Sequence, residues 1–136
     1  MNLEDRIAAD GITAAFTRRD RAPGWATDTE RSHDDWWDVT LSYGGAELRT
    51  PFSTGPGWTH EPGVADVIRA LSDDAHTYFS ADGFEDWAAD MGWDAYEPGE
   101  GGRARTRYKL VGEMAERFRA WLGEEQYEAY LYETGR

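Results

Sequence analysis

The stretch Trp36-Trp37-Asp38-Val39-Thr40-Leu41-Ser42-Tyr43-Gly44-Gly45-Ala46-Glu47-Leu48-Arg49-Thr50-Pro51-Phe52 decides the fold. Trp37, Val39 and Leu41 alternate with Asp38, Thr40 and Ser42, the period of a half-buried strand. Gly44-Gly45 follows, and glycine tolerates the positive φ that a two-residue hairpin turn demands. Ala46 to Phe52 then reads as the return strand, with Leu48 and Phe52 offered to the core, and Ser53-Thr54-Gly55-Pro56-Gly57 ends it. On the N-terminal side, Ile12, Ala14 and Phe16 alternate with Thr13, Ala15 and Thr17, which predicts a first strand over 12–19, after a break at Gly11. Residues 3–9 predict a short helix with Leu3, Ile7 and Ala8 on one face. Residues 20–34, with Pro23 and Gly24, read as a long mobile loop.

Beyond the hairpin the period changes. Val64, Val67, Ile68 and Leu71 stand at i, i+3, i+4 and i+7, one face of a helix, with Pro62 in its first turn and Asp66, Arg69 and Asp73 opposite. Phe84, Trp87, Ala88 and Met91 repeat the spacing. Asp82 and Glu85 form a capping-box pair at its start, and Glu85, Asp86 and Asp90 point outward. Residues 96–102, with Pro98-Gly99 and Gly101-Gly102, read as a flexible loop. Ala104, Tyr108, Val111, Ala115, Phe118 and Leu122 make the longest stripe and predict a helix over about 103–122, closed by Gly123. A last helix over 124–132 turns Tyr127, Tyr130 and Leu131 inward. The expectation is an α+β fold: a small antiparallel sheet of about three strands in the N-terminal half, packed against three to four helices from the C-terminal half. One domain covers 1–136, strand-rich over 11–55 and helical over 62–132.

The chain of 136 residues carries 27 acids against 14 bases, a net charge of −13. Residues 1–60 hold ten acids and six bases, residues 61–100 eleven acids and only Arg69, and residues 101–136 six acids and seven bases. The excess belongs to the middle segment. Direct binding to bare nucleic-acid phosphates is disfavoured, because like charges repel. Seven Trp, seven Tyr and five Phe set the chain apart from a disordered acidic tail. No apolar run approaches the roughly 20 residues of a membrane span, and Met1 to Arg6 carries no secretory signal pattern. A cytoplasmic location and no membrane are expected, and the absence of cysteine removes disulfides and thiolate metal sites.

Catalytic patterns are sparse. His33, His60 and His76 lack metal-ligand spacing and read as exposed loop residues. No Gly-x-Ser-x-Gly elbow occurs, and nothing brings Ser53 to His60. Gly55-Pro56-Gly57-Trp58 has no Lys for a phosphate cradle and reads as a turn. The pairs Asp34-Asp35, Asp73-Asp74 and Glu85-Asp86 are what 27 acids give by chance. Arg103, Arg105, Arg107 and Lys109 spread around one helix and offset the acids beside them. The reading is a non-enzyme with no cofactor and no metal. Its candidate partner-binding residues are Asp66, Asp73, Asp74, Glu85, Asp86, Asp90 and Asp94.

Several motifs carry a resemblance. They are Gly11-Ile12-Thr13-Ala14, Trp37-Asp38-Val39-Thr40-Leu41, Pro51-Phe52-Ser53-Thr54-Gly55 and Glu61-Pro62 with Ala65-Asp66-Val67. Gly83-Phe84-Glu85-Asp86-Trp87, Gly92-Trp93-Asp94 and Thr106-Arg107-Tyr108 complete the set. Together they resemble a family of small phage- and prophage-encoded proteins that has no established activity. The chain departs from that pattern at Glu97-Pro98-Gly99-Glu100-Gly101-Gly102. The resemblance implies a phage context. Carboxylates about 5–6 Å apart on helix faces can present charge as duplex phosphates do. The expected function is therefore an accessory protein that binds a basic surface of a host nucleic-acid-dependent defence complex, CRISPR or restriction, as a DNA mimic. The alternatives are a non-catalytic phage structural or assembly protein that binds through Trp25, Trp58 and Trp93, and acids that only keep the protein soluble.

Overall fold

The computed structural model describes residues 2–24, 30–55, 61–80, 83–90 and 92–133. The fold is α+β: a three-stranded antiparallel sheet and five α-helices among the described residues. The chain divides into two compact units, residues 1–68 and 69–136. The sequence changes character at 55–62, whereas the division falls a few residues later, inside a helix.

In the first unit, α1 (Leu3–Asp10) starts where the Asn2 side chain accepts the Asp5 N–H at 2.8 Å. It ends at Gly11, whose φ of +71° allows its N–H to reach the Ala8 carbonyl while Ile12 donates to Ile7. Leu3, Ile7 and Ile12 are buried, and Ala8, expected on the same face, is exposed. The strands β1 (Thr13–Arg18), β2 (Asp35–Tyr43) and β3 (Ala46–Thr54) lie in the order β1-β2-β3. Tyr43 pairs with Ala46, and Gly44 and Gly45 take φ of +59° and +82°, as the tight turn requires.

This register puts Ala14, Leu41 and Leu48 in one row and Phe16, Val39 and Thr50 in the next. Val39, Leu41, Leu48 and Thr50 are buried. The Phe16 and Trp37 rings meet edge to face at 6.4 Å. The opposite face is polar, with Thr13, Thr17, Asp38, Glu47 and Arg49 exposed. There Arg19 pairs with Asp38 at 2.7 Å. Pro51, opposite Asp38, sits in an edge strand, where a missing N–H is tolerated.

Trp36 lies on the polar face by alternation, yet it is buried, because Ala22 packs on it. Within the 20–34 stretch Ala22 and Pro23 are buried and a 3-10 turn occupies Glu30–His33, while residues 25–29 lie outside the described residues.

Helix α2 (Val64–Ser80) crosses from the first unit into the second. It begins two residues after Pro62: the Gly63 carbonyl accepts from Asp66 and Val67, and the Asp66 carboxylate takes the Gly63 N–H at 2.8 Å. The Asp66 carboxylate thus supplies the N3 half of a capping box, while Gly63 has no side chain to supply the other. Val67, Ile68, Leu71, Ser72 and Ala75 line its buried side.

The second unit continues with α3 (Phe84–Asp90), α4 (Pro98–Leu122) and α5 (Glu124–Glu133). Trp87, Ala88, Ala104 and Val111 form its α3–α4 core, with Phe84, Trp93, Ala95 and Tyr108 packed around them. The Trp87 and Tyr108 rings are 5.2 Å apart. Phe118 is fully buried between Trp121 and Tyr127, 6.2 and 5.7 Å away, and joins α4 to α5. Tyr127 and Tyr130 are buried and Leu131 is half-buried. Asp82 and Met91 lie outside the described residues.

Of the flexible loop expected over 96–102, residues 98–102 are instead the start of α4. Glu97 is its N-cap, and Pro98 takes the position where a missing N–H costs nothing. Composition alone argues against a helix there, because three of the five residues from Pro98 to Gly102 are glycine.

Candidate functional site

Helix α3 closes with Gly92 at φ +80°, whose N–H reaches the Ala89 carbonyl while Trp93 donates to Ala88 at 2.8 Å. This tight closure folds the chain back toward the start of α3. Trp93 and Ala95 go into the α3–α4 core, so Asp94 and Tyr96 face outward. The Asp94 carboxylate accepts the Tyr96 N–H at 3.0 Å and fixes the turn.

Tyr96 is 77% exposed. Its hydroxyl donates to the Glu85 carboxylate in the first turn of α3. That bond, then the Glu85 charge, then lesser contributions that include Asp86 and Asp94, raise the tyrosine pKa above its usual value. Three exposed acids, Glu85, Asp86 and Asp94, are thus gathered around one exposed ring.

The next residue governs the entry to α4. Glu97 accepts N–H bonds from Glu100 and from Gly99, the latter at 3.1 Å. These bonds lower its pKa, and Arg103 adds to the effect. A group lowered in the folded state stabilises fully above its unfolded pKa, and loses that effect as pH falls through the folded one. Glu97→Ala is therefore expected to lower the melting temperature at neutral pH. The gap to wild type should close as acid protonates Glu97, which a melting series across pH 7 to about 3 checks.

The seven acids picked out by sequence fall on α2, on α3 and in the turn after it. Glu85, Asp86 and Asp94 come together. Asp66 belongs to the first unit and is engaged as the α2 cap. Asp73 and Asp74 are half-buried on α2, less open to solvent than the helical spacing predicts. The side chain of Asp90 lies outside the described residues. Tyr96 and Glu97 were not expected as site residues. The signals for them were the Asp94-x-Tyr96 spacing of an Asx turn and the Glu97-Pro98 start of a helix.

The basic run is dispersed, as its spacing predicts. Arg103 lies near Glu97, Arg105 stacks on the Phe84 ring at 4.3 Å, and Arg107 is half-buried. Lys109 lines a shallow open groove of about 490 Å³ along α4, with Tyr108, Gly112, Glu113, Glu116 and Arg117. Of the aromatic residues in the alternative reading, Trp93 is half-buried in the α3–α4 core, and Trp25 and Trp58 lie outside the described residues.

Among the described residues, no three His, Asp or Glu side chains come together in a way that could hold a metal ion. His33 is exposed, His60 lies outside the described residues, and so does the side chain of His76. Among the described residues no helix is long and apolar enough to cross a membrane. Comparison of the chain with protein-family models, with curated proteins and with solved structures finds no match.

Proposed function

We propose that the chain is a phage-derived accessory protein that binds a basic, nucleic-acid-binding surface of a host defence complex in the host cytoplasm and blocks it. The observation that carries this reading is the gathering of Glu85, Asp86 and Asp94 around the exposed Tyr96. Three carboxylates beside an aromatic ring offer a guanidinium or ammonium group both charge and a π face, as a nucleotide does. The net charge of −13 adds long-range attraction toward a basic groove.

The reading predicts a salt-sensitive complex, because charge-driven association is screened over about 10 Å at 0.1 M salt. The tagged chain should retain a basic nucleic-acid-binding protein from host lysate at low salt. It should release that protein at high salt or when duplex DNA is added. Changing Glu85, Asp86 and Asp94 together to Lys should abolish retention while the far-UV spectrum stays unchanged. Retention that survives the triple change, or that duplex DNA does not compete with, would sink the mimic.

A further inference from the structure

The start of α4 is built unlike the rest of that helix. Among residues 98–102, Gly99, Gly101 and Gly102 have no side chain and Pro98 is exposed, so the stretch buries no apolar side chain of its own. The first buried one is Ala104, which belongs to the core with Trp87, Ala88 and Val111. Glycine costs a helix more backbone freedom than any other residue. Three ties hold the stretch wound. Glu97 caps the Gly99 and Glu100 N–H groups. Gly101 is buried so closely against residue 95 that an added Cβ would stand 2.6 Å from the Ala95 carbonyl oxygen. Thr106 returns its hydroxyl to the Gly102 carbonyl at 3.2 Å. The second tie clamps helix to turn, and the same turn holds Tyr96 on Asp94 and on Glu85.

We propose that residues 98–102 wind and unwind as a unit while α4 stays folded from Ala104 onward, and that winding is what assembles Asp94 and Tyr96 with Glu85 and Asp86. Unwinding removes Gly101 from Ala95 and frees the 93–97 turn, so the acids of α3 part from Asp94. The cluster is the surface proposed above, so this inference deepens that reading. Its test needs no partner, and either can fail without the other.

The test is amide hydrogen exchange, resolved by residue, on the whole chain and two variants. Gly101→Ala and Gly102→Ala add the same methyl group and the same helix propensity. At Gly102 the new Cβ meets nothing within 4 Å, whereas at Gly101 it strikes the Ala95 carbonyl. Gly102→Ala should slow exchange over 99–103 about fivefold, the worth of one Gly-to-Ala change in a helix. It should slow the Tyr96 amide by the same factor. Gly101→Ala should speed both. Equal slowing by the two variants would overturn the proposal, and so would a Tyr96 amide that responds to neither. Wild-type protection over 99–103 as high as over 111–118 would do the same.

Discussion

Replacing Trp87 with Ala should cost the second unit about 3–5 kcal/mol, the usual loss for removing a large buried ring. Trp87 is 2% exposed and central to the α3–α4 core, touching the rings of Phe84 and Tyr108. The helix that carries it has only seven residues, too few to hold itself in water. Its place therefore depends on Trp87 and Ala88 being buried against α4. Whole small domains are stable by only about 5–15 kcal/mol, so this loss is a large share of the total. Urea denaturation followed by circular dichroism measures it, since the substitution itself alters tryptophan fluorescence. A loss below about 1 kcal/mol would show that Trp87 is not the keystone of this core. The variant should also lose the raised Tyr96 pKa, visible in an alkaline absorbance titration, because Glu85 rides on the same short helix.

In the first unit, Leu41→Ala should cost about 2–5 kcal/mol. Leu41 is fully buried in the central strand, paired with Ala14 on one side and Leu48 on the other. Neither neighbour can fill the space: Ala14 is small, and Leu48 is held in place by the hairpin register that Gly44 and Gly45 set. Glu47→Ala, exposed on the opposite face across from Ser42, is the control and should change stability by no more than about 0.5 kcal/mol. Similar losses for the two variants would mean that the alternation does not divide this sheet into a buried and a solvated face.

Most of the fold was legible because period and punctuation agreed. The Gly44-Gly45 turn, the Val39/Leu41 alternation and the Val67/Ile68/Leu71 spacing each name one structure and its buried side. The misses share a physical cause. Trp36 is buried by Ala22, a contact between residues fourteen apart that no local period records. The start of α4 is helical because Glu97 caps it and Gly101 fits against Ala95, while its own composition favours a loop. Which acids meet is decided by a turn and not by a helical period. Helical spacing groups Asp66, Asp73 and Asp74 with one another, whereas the turn after Gly92 brings Asp94 to Glu85 and Asp86. A carboxylate close to a helix start is as readily spent on backbone N–H groups as offered to a partner, and Asp66 is spent in that way.

The position of Pro51 has a consequence for behaviour in concentrated solution. An edge strand invites another chain to add itself through the free backbone, the first step toward fibrous or amorphous aggregates. On β3 that invitation is withdrawn at mid-strand: Pro51 has no N–H to give, and its carbonyl already accepts the Thr50 hydroxyl at 2.9 Å. An incoming strand would meet a gap in the ladder where it needs a donor and a competitor where it needs an acceptor. A sheet of only three strands, with two edges to protect, thus closes one of them by a single residue and its neighbour's side chain.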